Sequence, residues 1–225
     1  MEGAANGCAF DAFAGRIATM KVSRDSSTLF MDSHAGMKHP LHRFVLLLCA
    51  ALALAFLTGC GAPFSNVFMG DSITAFWFVP GMNLGYPGDT TAQMLVRYPS
   101  EVSGHGFRTF ILLGGTNDVR HLLPSEIALA NIAAMATRSR AANMNVVLCM
   151  IPPIYEDKFK LDPAVRALNA LIRQYAEDQH YYLVDYYDPM VGHPEYFKDQ
   201  LHPNALGYSV MDKALVPVLQ EIAQK

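Results

Sequence analysis

The sequence predicts an α/β domain, a three-layer α/β/α sandwich around a central parallel sheet of about five strands, and three observations carry that expectation. Short apolar runs without charge recur from Asn66 onward, at residues 67–69, 109–113, 146–151 and 181–184, with 82–84 a weaker fifth. Stretches of helical period separate them. Strand and helix alternating at this spacing imply parallel strands covered by helices on both faces.

Taken in order, the first strand runs into Gly70-Asp71-Ser72-Ile73, which places a hydroxyl at a strand-to-helix turn. Residues 73–79 leave room for about two helical turns before a bend at Pro80-Gly81. The second strand ends in Gly85-Tyr86-Pro87-Gly88-Asp89-Thr90-Thr91 and opens a helix over 91–102. The third leads into Gly114-Gly115-Thr116-Asn117-Asp118, followed by a helix over 125–142. After the fourth, Pro152-Pro153 breaks the chain. Asp162 then reads as an N-cap with Pro163 at the first helical position, and Val165, Leu168, Ile172 and Tyr175 form one apolar face. The fifth strand is followed by Asp199-Gln200-Leu201-His202-Pro203-Asn204 and a helix over 204–223, in which Pro217 predicts a kink or a break.

The domain accounts for residues 66–225, and what precedes it reads differently. Residues 44–57, FVLLLCAALALAFL, carry no charge and follow Lys38, His39, His42 and Arg43. Fourteen residues fall short of the roughly 20 that a membrane-crossing helix needs, but they suit the apolar region of a signal peptide. Leu57-Thr58-Gly59-Cys60 closes the run and resembles the lipobox of bacterial lipoproteins, which implies diacylation of Cys60 and cleavage before it. Residues 37–59 are thus expected to be a lipoprotein signal peptide and 60–65 a tether. The protein is expected in a bacterial cell envelope, lipid-anchored and facing the periplasm or exterior. Residues 1–36 read as an upstream extension or a misassigned start, with Met37 or Met31 as the natural one.

The full chain of 225 residues has a formal charge of -3 and no Lys/Arg-rich run, so nucleic acid is a poor partner. Of the four cysteines, Cys8 and Cys49 lie upstream and Cys60 is the acylation candidate. That leaves Cys149 alone inside an apolar run, a small buried hydrophobe with nothing to pair with.

In parallel sheets ligands bind beyond the carboxyl ends of the strands, so the polar residues that follow each apolar run matter most. Singly, each has a plain structural account: Ser72 an N-cap, Gly88 a turn glycine before an N-cap Asp89, Asn117 a turn residue, His202 a surface histidine. All four at strand ends in this order are harder to dismiss. The four blocks GDSI, GDTT, GTND and DQLHPN together resemble the SGNH, or GDSL-type, serine hydrolases, over residues 66–204. The resemblance implies a flavodoxin-like SGNH-hydrolase fold with Ser72 as nucleophile, Asp199 and His202 as its partners, and Gly88 and Asn117 in the oxyanion hole.

Chemistry supports the same assignments. An alcohol is a weak nucleophile without a base, and His202 is the residue suited to that task. Asp199, three residues earlier, can accept the other imidazole N–H and fix its tautomer. The Ser72 N–H, the Gly88 N–H and the Asn117 amide can supply three oxyanion donors, and the missing Cβ is expected to let Gly88 bring its backbone close. The order Ser, Asp, His is that of α/β-hydrolases, but no G-x-S-x-G elbow surrounds Ser72, which disfavours that fold.

Neighbouring residues have plainer readings. Asp71, Asp89 and Asp118 are expected to hold their loops through local hydrogen bonds. His193 and His202 with Asp199 lack metal-ligand spacing, so no metal or other cofactor is expected. His105 and His121 have no assigned role, and Tyr155 is either a pocket wall or an exposed loop aromatic. Only 15 residues separate Ser72 from Gly88, which leaves little chain to wall a deep acyl tunnel and predicts an open site for short acyl groups. Phe76, Trp77 and Phe78 are the competing signal: an apolar lip for a longer chain, or core. The expected function is a lipid-anchored serine esterase acting on a small-molecule, lipid or carbohydrate ester. Alternatives are a carbohydrate or peptidoglycan O-acetylesterase, a lysophospholipase/thioesterase, and an envelope binding lipoprotein on the same fold. The intact set of site residues argues against the last.

Overall fold

Five strands form one sheet: β1 (Asn66–Gly70), β2 (Met82–Gly85), β3 (Thr109–Leu113), β4 (Asn145–Met150) and β5 (Tyr182–Asp185), ordered β2-β1-β3-β4-β5 and parallel throughout. Each falls within a residue of its expected position, because short uncharged apolar runs between helical stretches bury best as strands inside a parallel sheet. The computed structural model describes residues 65–156 and 160–225. The expected extension, the signal peptide and Cys60 lie outside the described residues.

Among the described residues six α-helices accompany the sheet: α1 (Ser72–Ala75), α2 (Thr91–Glu101), α3 (Thr116–Arg120), α4 (Ser125–Ala141), α5 (Asp162–Gln179) and α6 (Ala205–Ala223). The sandwich follows from the strand register. Phe68 pairs with Ile111, not with Phe110, so these two rings point to opposite faces of the sheet. Phe110 meets Tyr98 of α2 edge-on at 5.4 Å, and Phe68 meets Trp77 at 6.0 Å. On the Phe110 side α2, α4 and α5 pack side by side. On the Phe68 side α6 joins the segment after α1, where its Tyr208 stacks on Trp77 and its Asp212 accepts the Trp77 indole N–H at 3.0 Å. The strand order reverses direction between β1 and β3. That is the switch point of a doubly wound sheet, where the loops diverge and leave a crevice.

Three local expectations are corrected. Asp162 is not an N-cap but the first residue of α5, with Leu161 before it buried in the core. Its carboxylate is engaged elsewhere, accepting the Tyr187 hydroxyl and Arg166 Nε. Helix α1 is a single turn, shorter than the spacing allowed. Pro217 does not break α6, which runs unbroken to Ala223. Pro217 and Lys213, whose carbonyl loses its donor, are both exposed, so solvent can take the missing partner's place.

One buried amide shapes the loop after β4. Asn169 of α5 accepts the Ile151 N–H at 2.8 Å and donates to the Ile151 carbonyl at 2.9 Å, satisfying both polar groups at the point where the backbone leaves the sheet. That loop carries Glu156 toward the carboxyl end.

Candidate active site

The turn after β1 is held from both sides. Asp71 caps α1 by accepting the Ile73 N–H at 2.9 Å, which leaves Ser72 as the first helical residue. The Tyr208 hydroxyl of α6 donates to the Ile73 carbonyl at 2.9 Å. The loop that enters α6 is thereby fixed against the loop that carries Ser72. Within it, Asn204 caps α6 through the Leu206 and Gly207 N–H groups and also donates to the Glu195 carbonyl. Gly207 has to be glycine, since a Cβ would stand 2.2 Å from the Tyr196 carbonyl oxygen.

His202 consequently meets Ser72 across 130 residues of chain: Ser72 Oγ lies 2.9 Å from His202 Nε2. His202 Nδ1 lies 2.9 Å from Asp199 Oδ2, whose other oxygen accepts the Leu201 and His202 backbone N–H groups. Partial burial works against the Asp199 charge, but those N–H groups and the imidazole outweigh it and hold the carboxyl below its usual range. With Asp199 accepting at Nδ1, the tautomer that bears its proton there leaves Nε2 free to accept from Ser72.

Gly88 sits in the loop after β2 with φ +88°, in the left-handed region. A Cβ there would meet nothing within 4 Å of the described protein, so among the protein's own atoms the position calls for glycine through this backbone conformation. Neither the Ser72 nor the Gly88 N–H meets an acceptor among the described residues. Asn117, buried at the start of α3, donates from Nδ2 to the Asp89 carbonyl at 3.0 Å, which ties the third block to the second.

The three neighbouring aspartates hold loops, as expected. Asp118 accepts the Thr91 N–H and hydroxyl at 2.8 and 2.6 Å, and Asp89 pairs with Arg97 at 2.7 Å. Arg97 also donates to the Gly70 and Leu84 carbonyls and lies 4.1 Å over the Tyr86 ring. It clamps the ends of β1 and β2 to the Gly88 loop. Nothing in the sequence marked it, because a lone arginine in a helix reads as solvated. Arg120 and Glu156 were missed as well, although Arg120 stands three residues after Asn117 and so shares its helix face.

A cleft of about 680 Å³ opens over Ser72 and His202, walled by Phe76, Pro87, Gly88, Asn117, Arg120 and Glu156. Of the aromatic run only Phe76 faces it, 5.6 Å from the His202 ring; Trp77 is buried and Phe78 is 98% exposed. Tyr155 is not an exposed aromatic; it lines a smaller neighbouring pocket of about 200 Å³, not this cleft. It is half-buried against Phe197, donates to the Met190 carbonyl and accepts the His193 N–H. His193 pairs with Glu195 and stacks on Tyr196, while His105 contacts the Ser100 carbonyl. Cys149 is buried beside Tyr186, and burial pushes its thiol up to about 12, so it is inert.

A sequence profile of the GDSL-like Lipase/Acylhydrolase family matches residues 68–210, a span that holds every one of these site residues. The chain belongs to this family. Among solved structures it is similar to a GDSL-like lipase from Bacteroides thetaiotaomicron, 26% identical over 80% of this chain and 97% of that one, with a TM-score of 0.68. The fold is shared with a lipase/acylhydrolase from Enterococcus faecalis (20% identity, 69% and 95% covered, TM-score 0.62). It is shared too with an acetylxylan esterase from Geobacillus stearothermophilus (16% identity, 70% and 94% covered, TM-score 0.60). A search of curated proteins finds no match. The protein is thus an ester hydrolase.

Behind Ser72 of this GDSL-like hydrolase lies a second carboxyl, shifted in the opposite direction from Asp199. Asp71 is fully buried, and burial pushes it up to about 6 against the pull of the Ile73 N–H, Thr116 and His202, with Asp118 adding to the rise. Thr116 stands near without hydrogen-bond geometry, and Asp71 Oδ2 and Thr116 Oγ1 are buried without partners among the described residues. Because the folded carboxyl keeps its proton to higher pH than the unfolded one, the stability it contributes is complete below about pH 4 and is lost as pH rises through about 6. In urea unfolding, the wild type should lose about 2 kcal/mol relative to Asp71→Asn between pH 4 and 7. Asn keeps the capping acceptor but does not titrate. Parallel pH profiles for the two proteins would place the Asp71 titration outside this range.

Proposed function

We propose that this hydrolase cleaves carboxylic esters by acyl transfer through Ser72, with His202 as general base and then general acid, and Asp199 holding the imidazole. The observation that carries this reading is the continuous chain of contacts from Asp199 Oδ2 through His202 to Ser72 Oγ, 2.9 Å at each step. His202 takes the hydroxyl proton as Ser72 Oγ attacks the ester carbonyl. The Ser72 and Gly88 N–H groups and the Asn117 amide receive the oxyanion. Collapse expels the alcohol, which takes the proton from His202. Water then repeats the sequence on the acyl-serine and releases the acid.

The substrates we assign are short acyl esters. Helix α1 is one turn, the site is an open cleft, and Phe76 alone of three consecutive aromatics reaches it, so the described residues offer no apolar tunnel for a long chain. Arg120, Glu156 and Gln200 give the rim polar groups. These favour, as the second reading, an acetyl ester on a carbohydrate, in keeping with the acetylxylan esterase among the structural neighbours. Specificity constants for p-nitrophenyl esters from acetate to palmitate, measured below micelle-forming concentrations, should peak at acetate or butyrate. A maximum at decanoate or longer would overturn the short-acyl assignment.

We also propose that Cys60 anchors the enzyme to a bacterial membrane on the periplasmic or outer face. The reading rests on Leu57-Thr58-Gly59-Cys60 and the uncharged run before it. It accords with β1 beginning six residues later, at the end of the sheet opposite the cleft. Expressed from Met37 in a bacterium with lipoprotein machinery, the protein should partition with membranes, and Cys60→Ser should release it, because stable attachment needs more than one acyl chain. An unmodified Cys60 in the intact mass of the secreted protein contradicts the proposal.

A further inference from the structure

An oxyanion donor on a side chain raises a question that a backbone N–H does not, because an Asn amide has two ends of nearly equal size and opposite polarity. Asn117 is buried, so solvent does not choose between them. Two neighbours do. Asp89 presents a carbonyl to Nδ2 at 3.0 Å, and Arg120 Nη1 donates to Oδ1 at 3.2 Å. Rotating the amide by half a turn would set Nδ2 against the guanidinium and Oδ1 against the carbonyl, replacing two hydrogen bonds with two repulsions. Arg120 is itself fixed, since its Nε and Nη2 both donate to the Glu156 carboxylate at 3.0 Å. Such a paired, planar contact leaves the guanidinium little freedom to turn away.

We propose that Arg120, braced by Glu156, is a positioning residue that fixes which end of the Asn117 amide faces the cleft and so keeps Nδ2 available to the oxyanion. With Asp89 occupying one Nδ2 hydrogen, the other remains for the cleft that Asn117 lines. The charged donor on Oδ1 also draws electron density from the amide and makes that hydrogen a stronger donor. Glu156 keeps the local charge balanced. The inference rests on the reading of Asn117 as an oxyanion donor, and it adds a pair of residues that the motif blocks do not contain.

The test is a double-mutant comparison. Removing Arg120 alone would leave the Glu156 charge facing a developing oxyanion, so the variant to measure is Arg120→Met with Glu156→Gln, referred to Glu156→Gln alone. Loss of a whole oxyanion donor costs on the order of 10² to 10³ in kcat, and a misoriented one should cost about 10-fold, with KM within about twofold. In an Asn117→Ala background the same change should alter kcat by less than about twofold, because no amide is left to orient. Arg120→Lys, which keeps a cationic donor near Oδ1, should recover part of the rate, and it serves as the probe if the double variant fails to fold. An equal loss of kcat in both backgrounds, or a rise in KM at constant kcat, would overturn the proposal and make Arg120 a substrate contact or a merely structural residue. If Asn117→Ala is itself kinetically silent, the oxyanion reading falls, and the role of Arg120 with it.

Discussion

The docking of α6 against the turn after β1 is the constraint on which the site depends. A parallel sheet gathers its loops at one end, but it does not by itself bring the last loop onto the first. Here the Tyr208 hydroxyl on the Ile73 carbonyl, the Trp77 indole on Asp212, and the stacked Trp77 and Tyr208 rings lock α6 beside Ser72. His202 sits two residues before the Asn204 cap, so fixing the helix fixes the imidazole. The 2.9 Å contact between Ser72 and His202 is a consequence of that packing, and it needs no strain in the loop itself.

The same end of the sheet holds two carboxyls shifted in opposite directions. Asp199 is partly exposed and surrounded by N–H donors, which keep it charged beside the imidazole. Asp71 is enclosed and has one backbone donor, so burial dominates and its charge is costly near neutrality. One carboxylate can therefore stabilise a histidine cation while the other serves the fold. The proposed oxyanion donors are arranged by a separate network: Arg97 holds the Gly88 loop through Asp89, and the Asp89 carbonyl in turn holds Asn117.

Much of this was legible in the chain. The strands were, because uncharged apolar runs of three to six residues between helical stretches report burial directly. That Ser72, Gly88, Asn117, Asp199 and His202 would come together was too: the first three lie at or just after the ends of β1, β2 and β3, and the last two in the loop that leads into the Asn204 cap of α6, and the structure brings all five around one cleft. What escaped depends on partners distant in sequence. Asp162 has the identity of a cap, but Tyr187 and Arg166 claim its carboxylate. Nothing local distinguishes Trp77, which α6 buries, from Phe78, which is exposed. Arg97 draws its importance from carbonyls on two strands, and Glu156 from an arginine 36 residues away.

The central claim, that Ser72 is the nucleophile activated by His202, is tested most directly by reacting the purified hydrolase with a fluorophosphonate and mapping the adduct by peptide mass. The account predicts stoichiometric modification at Ser72 in step with loss of ester hydrolysis, no modification of Ser72→Ala, and strongly slowed modification of His202→Ala. Full hydrolytic activity in an unmodified protein, or in one modified at another residue, would contradict it.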